Sequence, residues 1–265
     1  MPSPPRPRRT APVSGTSWER VATWYDGWVG ERGSEYHRAL AIPATLELLD
    51  PREGEEILDL GGGQGVLAPY LVEAGARVTV VDASRRLIDA ARRRHGGLRN
   101  ARFVVGDARR LPAVAGLEPA AFDAAVLMLS IQDMDPLDEV VRGLDWAVSV
   151  SGRVVVLMTH PAFRVPRHSG WAFDEGRKLA VRRVDAYLTP MAVPMKSLGG
   201  GPPTRSFHRP ISAYVNALAS VGFVTDAMLE LPDLPPERRP GTAARADERA
   251  QAEIPIFLAM RSVRG

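Results

Sequence analysis

Ile57-Leu58-Asp59-Leu60-Gly61-Gly62-Gly63-Gln64-Gly65 sends a short apolar strand straight into four glycines within five positions. Glycine enters the left-handed region at no steric cost, and its missing Cβ lets a ligand approach the backbone. A helix-like segment, 66–72, follows at once. Strand, glycine loop and helix N-terminus in that order suit a nucleotide-type cofactor. The plainer alternative is a tight turn with no ligand, which leaves so costly a density of glycine unexplained. The spacing narrows the choice. A dinucleotide fingerprint reads G-x-G-x-x-G, whereas Gly61, Gly63 and Gly65 read G-x-G-x-G, and the third dinucleotide glycine would fall on Val66.

Two later strands also end in carboxylates. Arg77-Val78-Thr79-Val80-Val81-Asp82 is a β-branched run. Its terminal Asp82 lies about 20 residues beyond the loop, where a carboxylate can accept from both ribose hydroxyls of a nucleoside. Asp82 can also serve as a cap for a helix beginning near Ser84. Arg102-Phe103-Val104-Val105-Gly106-Asp107-Ala108 repeats the arrangement, and Asp107 reads as a ligand or as a turn residue.

The pattern D-L-G-G-G-Q-G from Asp59 to Gly65 resembles the first motif of class I S-adenosylmethionine-dependent methyltransferases. The resemblance implies that Asp59, Gly61, Gly63 and Gly65 border the methionine part of that cofactor. It implies that Asp82 holds the ribose, with the adjoining Ala83 in the same site. Asp107 would meet the adenine amino group and the Ala108 amide a ring nitrogen. Phe122-Asp123 at the head of an apolar strand resembles the family's fourth strand. Residues after that strand face the methyl group and the substrate, which nominates Ser130, Gln132 and Asp133, with Ser130 among the cofactor contacts. Gln132 and Asp133 are equally readable as capping or solvent-facing residues. The implied fold is α/β, a doubly wound, mostly parallel seven-stranded sheet with an antiparallel final strand.

Strand patterns near 55–60, 77–82, 101–106, 122–129 and 152–159 alternate with helical ones near 65–74, 84–95 and 136–149, which is the signature of such a sheet. A helix near 210–221, a strand near 223–230 and a last strand at 254–261 complete it. The stretch 232–250, rich in Pro, Arg and acidic residues, reads as an exposed mobile loop. The expected organisation is a disordered tail over 1–15, a helical N-terminal lid over 16–50, a cofactor-binding core over 51–159, a substrate or cap insertion over 160–209, and the rest of the core over 210–265. The lid carries Trp18, Trp24, Tyr25 and Trp28. Aromatic faces stabilise a cation within about 6 Å, and the cofactor's sulfonium is one, so Tyr25 joins the cofactor candidates; anchoring a helix is the alternative role. The insertion begins His160-Pro161-Ala162-Phe163-Arg164, continues as an Arg-rich helix-like stretch to Tyr187, and ends near Phe207-His208-Arg209-Pro210. Both of its ends resemble a bacterial small-molecule branch of the family, the methyltransferase-11-like one.

The 265 residues, 45% hydrophobic, suffice for one core with an added subdomain. No cysteine is present, which excludes disulfides, zinc–thiolate sites and cysteine nucleophiles. The N-terminus is Pro- and Arg-rich without an apolar signal region, and the expected setting is cytoplasmic. An isoelectric point near 9.6 accompanies a net charge of only +3. Lys178 and Lys196 are the only lysines, so arginine with its pKa above about 12 accounts for the basic value. Arg92-Arg93-Arg94 falls at a helix end, where cations favour the dipole, and nucleic acid is not an expected partner.

Methyl transfer needs in-line alignment and exclusion of water, and needs a base only for a poorly acidic acceptor. His160 and then His208 are the candidate bases, since a neutral imidazole titrates near physiological pH; a structural role is the alternative for each. No metal-ligand spacing is visible. The expected activity is therefore methyl transfer from S-adenosylmethionine to O, N or C of a small molecule. An RNA or protein acceptor, and a non-catalytic cofactor-binding regulator, are the alternatives.

Overall fold

The computed structural model describes residues 17–195, 200–201, 203–235 and 242–265. The tail expected over 1–15 lies outside them. A seven-stranded sheet is built from β1 (Glu56–Leu60), β2 (Arg77–Asp82), β3 (Ala101–Val105), β4 (Phe122–Met128), β5 (Val148–Thr159), β10 (Phe223–Leu231) and β11 (Phe257–Arg264). Its order is β3-β2-β1-β4-β5-β11-β10. Pairings among β1 to β5 are parallel, and β11 runs antiparallel to both its neighbours. This is the doubly wound, Rossmann-like arrangement that the sequence pattern implies.

Each layer follows from its side-chain periodicity. β4 is apolar almost throughout because both faces of a parallel sheet are covered. α4 (Arg85–His95) buries Leu87, Ile88, Ala90 and Ala91 on one face, and Ser84 caps it by accepting from the Leu87 amide at 3.3 Å. α5 (Leu137–Ala147) buries Leu137, Val140, Val141 and Leu144 at helical spacing. One core cluster joins α5 and α6 (Ile211–Ala219) to one face. The other joins α2 (Ile42–Leu49), α3 (Ala68–Glu73) and α4 to the opposite face. Strand order reverses between β1 and β4, and a crevice opens beyond the carboxyl ends of the strands at such a point.

The N-terminal segment is helical, as expected: a 3-10 turn at Ser17–Arg20, α1 (Ala22–Val29), and a π-helical turn at His37–Ala41 that runs into α2. Three expectations are corrected. The Arg-rich stretch to Tyr187 is not helical but a hairpin, β6 (Ser169–Asp174) with β7 (Leu179–Val184). Asp174 closes its turn by accepting from the Arg177 amide at 2.9 Å, and β-branched Val181 and Val184 suit a strand. A second hairpin pairs β8 (Met191–Pro194) with β9 (Arg205–His208). Within 232–250, the expected loop instead yields α7 (Thr242–Glu253). Alanine hides this helix from a hydrophobicity reading, yet it is the strongest helix former, and Ala246 and Ala250, four apart, are buried. The last strand starts at Phe257 rather than 254, since Pro255 lacks the amide a central strand needs.

Candidate active site

β1 delivers the glycine loop to the crevice. Gly61, Gly63 and Gly65 all have positive φ, from +57° to +77°. A Cβ at Gly61 would lie 2.6 Å from that of Ser130, and one at Gly65 would lie 2.8 Å from the Phe103 ring. The first glycine therefore serves the close approach of β1 and β4, and the last serves helix–sheet packing. Gly63 meets nothing nearer than 3.8 Å, from Leu87 and Tyr25, so it is the glycine whose open face borders free space. Its amide donates to Asp82 Oδ2 at 3.0 Å, and the Ser84 amide donates to Oδ1 at 2.7 Å.

These residues wall a cavity of about 1280 Å³. Tyr25, Asp59, Gly61, Gly63, Asp82 and Ala83 line it, and so do Asp107, Ala108, Ser130, Gln132 and Asp133. Gly65 does not. Leu129, just beyond β4, has a φ of +56° that turns the chain so that Ser130 Oγ donates to the Leu60 carbonyl at 2.7 Å. Burial pushes Asp59 up to about 7, helped by the charge of Asp82. Burial also raises Asp82 to about 6, although the two amides oppose it. Asp133 rises to about 8 through burial, against a hydrogen bond from Trp18 and with Asp82 adding repulsion. Asp107 is the exception: burial pushes it up, but the Arg109 guanidinium, bound to both carboxylate oxygens, carries it below the usual range.

The chemistry of this wall suits S-adenosylmethionine. Asp59 Oδ2 is a buried acceptor without a partner, and Gln64 Nε2 is a buried donor without one. Such atoms are costly unless a ligand satisfies them, and the ammonium and carboxylate of a methionine moiety offer the complementary pair. Asp82 still has free lone pairs for a diol, and raised carboxylates favour a cationic ligand that would ionise them.

Residues 57–149 match the model of a methyltransferase domain family. The chain is 26% identical over 204 residues to a demethylmenaquinone methyltransferase of Thermobifida fusca, covering 73% of this chain and 84% of that protein. It is 33% identical over 157 residues to a demethylmenaquinone methyltransferase of Beutenbergia cavernae, covering 58% of each. An S-adenosylmethionine-dependent methyltransferase structure from Mesorhizobium loti superposes with a TM-score of 0.66 at 24% identity, over 84% of this chain and 96% of that one. The core of the chain, residues 57–149, is a methyltransferase domain. A further fold neighbour is the 1,6-didemethyltoxoflavin-N1-methyltransferase of Burkholderia thailandensis, solved with S-adenosylhomocysteine. Its TM-score is 0.52 at 17% identity, over 92% of this chain and 84% of that one.

In this methyltransferase the two histidines singled out in the insertion stand apart from the cavity lining. His160 is buried, its Nε2 lies 2.8 Å from Glu230 Oε1, and its Nδ1 accepts from the Ala162 amide. His208 Nε2 lies 2.6 Å from the Tyr187 carbonyl and so joins two parts of the insertion. Both act as structural ties. A different imidazole, His37, lines the cavity. Burial, with Arg38 nearby, lowers it to about 4, so it is neutral at physiological pH, and Ser34 Oγ lies 2.8 Å from its Nδ1. It sits on the π-helical turn, a feature frequent at functional sites. No periodicity argument reveals such a turn, and nothing in the sequence distinguishes Gln64 from any other residue at the variable position of the glycine motif.

The N-terminal segment closes one side. Trp18 stands edge-on to Tyr25 at 5.0 Å, and Trp24 stacks on Trp28 at 5.8 Å. Glu19 accepts from Ser84 Oγ at 2.6 Å, and Asp26 pairs with Arg94, which fastens α1 to α4. No described helix is long and apolar enough to cross a membrane, and no three described His, Asp or Glu residues converge as metal ligands.

Proposed function

We propose that this enzyme methylates a small molecule held between the glycine loop and the 160–209 insertion. The observation that carries the reading is the size and division of the cavity. At about 1280 Å³ it exceeds the roughly 300–1000 Å³ of a site for one small ligand. Its inner wall is the glycine loop with Asp82 and Asp107, and its outer wall is Arg164, Val165, Ser169, Arg182, Thr204 and Phe207 from the insertion. Two ligands side by side fill such a space. The relatives named for demethylmenaquinone lend support to a small acceptor with a ring.

Bound S-adenosylmethionine supplies a methyl group on a sulfonium that is already a good leaving group. The protein's share is alignment, desolvation and proton management. In this reading Asp82 accepts from the ribose hydroxyls. Asp107 and the Ala108 amide meet the adenine, while Asp59 and Gln64 take the amino-acid end. Tyr25, held by Trp18 and Trp28, covers the Gly63 side and excludes water. Where the acceptor must lose a proton, His37 is the cavity-lining imidazole placed to take it, neutral but a weak base while burial holds it near 4. His160 and His208 are not assigned that task, since their ring nitrogens already serve the fold.

A screen of phenolic, enolic and amine acceptors with S-adenosylmethionine, read by mass spectrometry, tests this. A gain of one methyl group in a small acceptor is expected, with turnover falling about 10²- to 10⁴-fold in His37→Gln if a general base is used. Methylation confined to RNA or protein would contradict the reading.

A further inference from the structure

The cavity is electrostatically divided. Its cofactor half carries Glu19, Asp59, Asp82, Asp107, Asp133 and Asp135 against two cations, Arg20 and Arg109, the latter tied to Asp107, and this acidic excess suits a cationic ligand. The half built by the insertion carries Arg164, Arg167, Arg182 and Arg205. Against these four cations the same half sets one acid, Asp233, which pairs with Arg164 at 3.1 Å and also accepts from the Tyr36 hydroxyl at 2.9 Å. The remaining contacts of the arginines leave their charge in place. Arg182 donates Nε to the Phe163 carbonyl at 2.7 Å and Nη2 to Ser169 Oγ at 2.9 Å. Arg167 donates to the Pro194 carbonyl at 3.0 Å. Neutral acceptors orient a guanidinium without neutralising it, and each guanidinium has five donors to satisfy. Arg164 Nε is buried with no partner at all, and Arg205 has no acidic partner among the described residues.

Geometry holds two of these cations together. Arg164 and Arg182 lie over the ring of Trp171 at 5.9 and 5.2 Å from its centroid. Trp171 and Arg182 are direct cross-strand partners in the β6–β7 hairpin, so the ring and the guanidinium share one face. Burial, with Arg164 as a like-charged neighbour, lowers the pKa of Arg182. Two guanidiniums gathered on one ring in a partly buried wall repel each other, and the arrangement is relieved by an oxyanion, whose geometry a planar fork matches with two bonds.

We infer that the methyl acceptor carries an oxyanion group, a carboxylate or a phosphate, which Arg164 and Arg182 bind while Arg205 and Arg167 draw it in from the rim. This rests on the reading that cofactor and acceptor share the cavity, and it sets the enzyme apart from one built for a wholly neutral acceptor.

The test is a ligand-observed titration of the S-adenosylhomocysteine complex with benzoate, phenyl phosphate and neutral benzamide. At least one anion is expected to bind about tenfold more tightly than benzamide, as hydrogen bonds to a charged group warrant. Benzoate against phenyl phosphate tells the two oxyanions apart. Arg182→Gln and Arg164→Gln should each bring the favoured anion close to benzamide, and Arg182→Lys should recover only part, since it restores charge without the fork. Arg205→Gln, at an exposed position with no side-chain hydrogen bond or ion pair among the described residues, should weaken the anion severalfold with no change in fold. S-adenosylhomocysteine affinity, measured alongside, reports separately on the methyl-transfer reading. Benzamide binding as tightly as both anions, or anion affinity unchanged in folded Arg182→Gln and Arg205→Gln, would overturn the inference.

Discussion

Asp82 joins the loop, the second strand and the cap of α4: it receives amides from Gly63 and Ser84 and sits beside Tyr25 in the cavity wall. Its pKa of about 6, with Asp59 near 7 and Asp133 near 8, makes the unliganded site a reserve of protons. A carboxyl raised in the fold holds a proton that the unfolded chain has lost above about pH 4. Stability from that group is therefore fully present at low pH and is lost as pH rises toward the folded value. Asp133→Asn removes one such group. The variant should gain in melting temperature over wild type as pH goes from 5 to 8, with the smallest difference at pH 5. A difference that does not grow with pH would contradict the assignment. The same carboxyls must ionise to meet a cation, so S-adenosylmethionine affinity should rise over pH 5.5 to 8, as calorimetry in matched buffers can show.

At the scale of elements, the glycine loop and α4 are fitted to each other. Gly65→Ala would force a Cβ to 2.8 Å from the Phe103 ring at a φ of +77°. About 1–3 kcal/mol of destabilisation is expected in denaturant unfolding. Ser84→Ala should cost about 0.5–2 kcal/mol as the loss of a cap, and it also leaves Glu19 of the N-terminal turn held to α4 by Arg86 alone. Urea midpoints check both. The core elements were legible in the sequence for a simple reason. β1, β2 and β4 are short β-branched or apolar runs bounded by turn chemistry, and α4 and α5 have clean amphipathic spacing. The inner wall of the cavity was legible too, because Asp82 and Asp107 stand at or just past strand ends, where the alternation of strand and helix brings them together. What stayed hidden depends on long-range packing. The β6–β7 hairpin is masked by its arginines, α7 by its alanines, and His37 by a π-helical turn that breaks the helical period.

Over the whole molecule, one topological reversal at β1 and β4 sets Gly61 against Ser130 and fixes where the cavity lies. Two additions to the sheet then enclose it. The N-terminal helices bring Tyr25 and His37, and the insertion brings the arginine wall. The division of charge between these walls, with a net charge of only +3 over the chain, makes the site polar across its width. The arrangement depends on α1 being held to α4 through Asp26 and Arg94, both partly buried. Arg94→Ala should speed hydrogen exchange over 22–29 and weaken S-adenosylhomocysteine binding, while the 211–231 region keeps its protection. The central claim is that Asp82 and the glycine loop hold S-adenosylmethionine and exclude a dinucleotide. Calorimetry of wild type and Asp82→Ala with S-adenosylmethionine, S-adenosylhomocysteine and NAD tests it most directly. Binding of the first two ligands alone is expected, with a loss of about tenfold or more in the variant. Preferential binding of NAD, or an Asp82→Ala protein that binds S-adenosylmethionine as wild type does, would contradict the account.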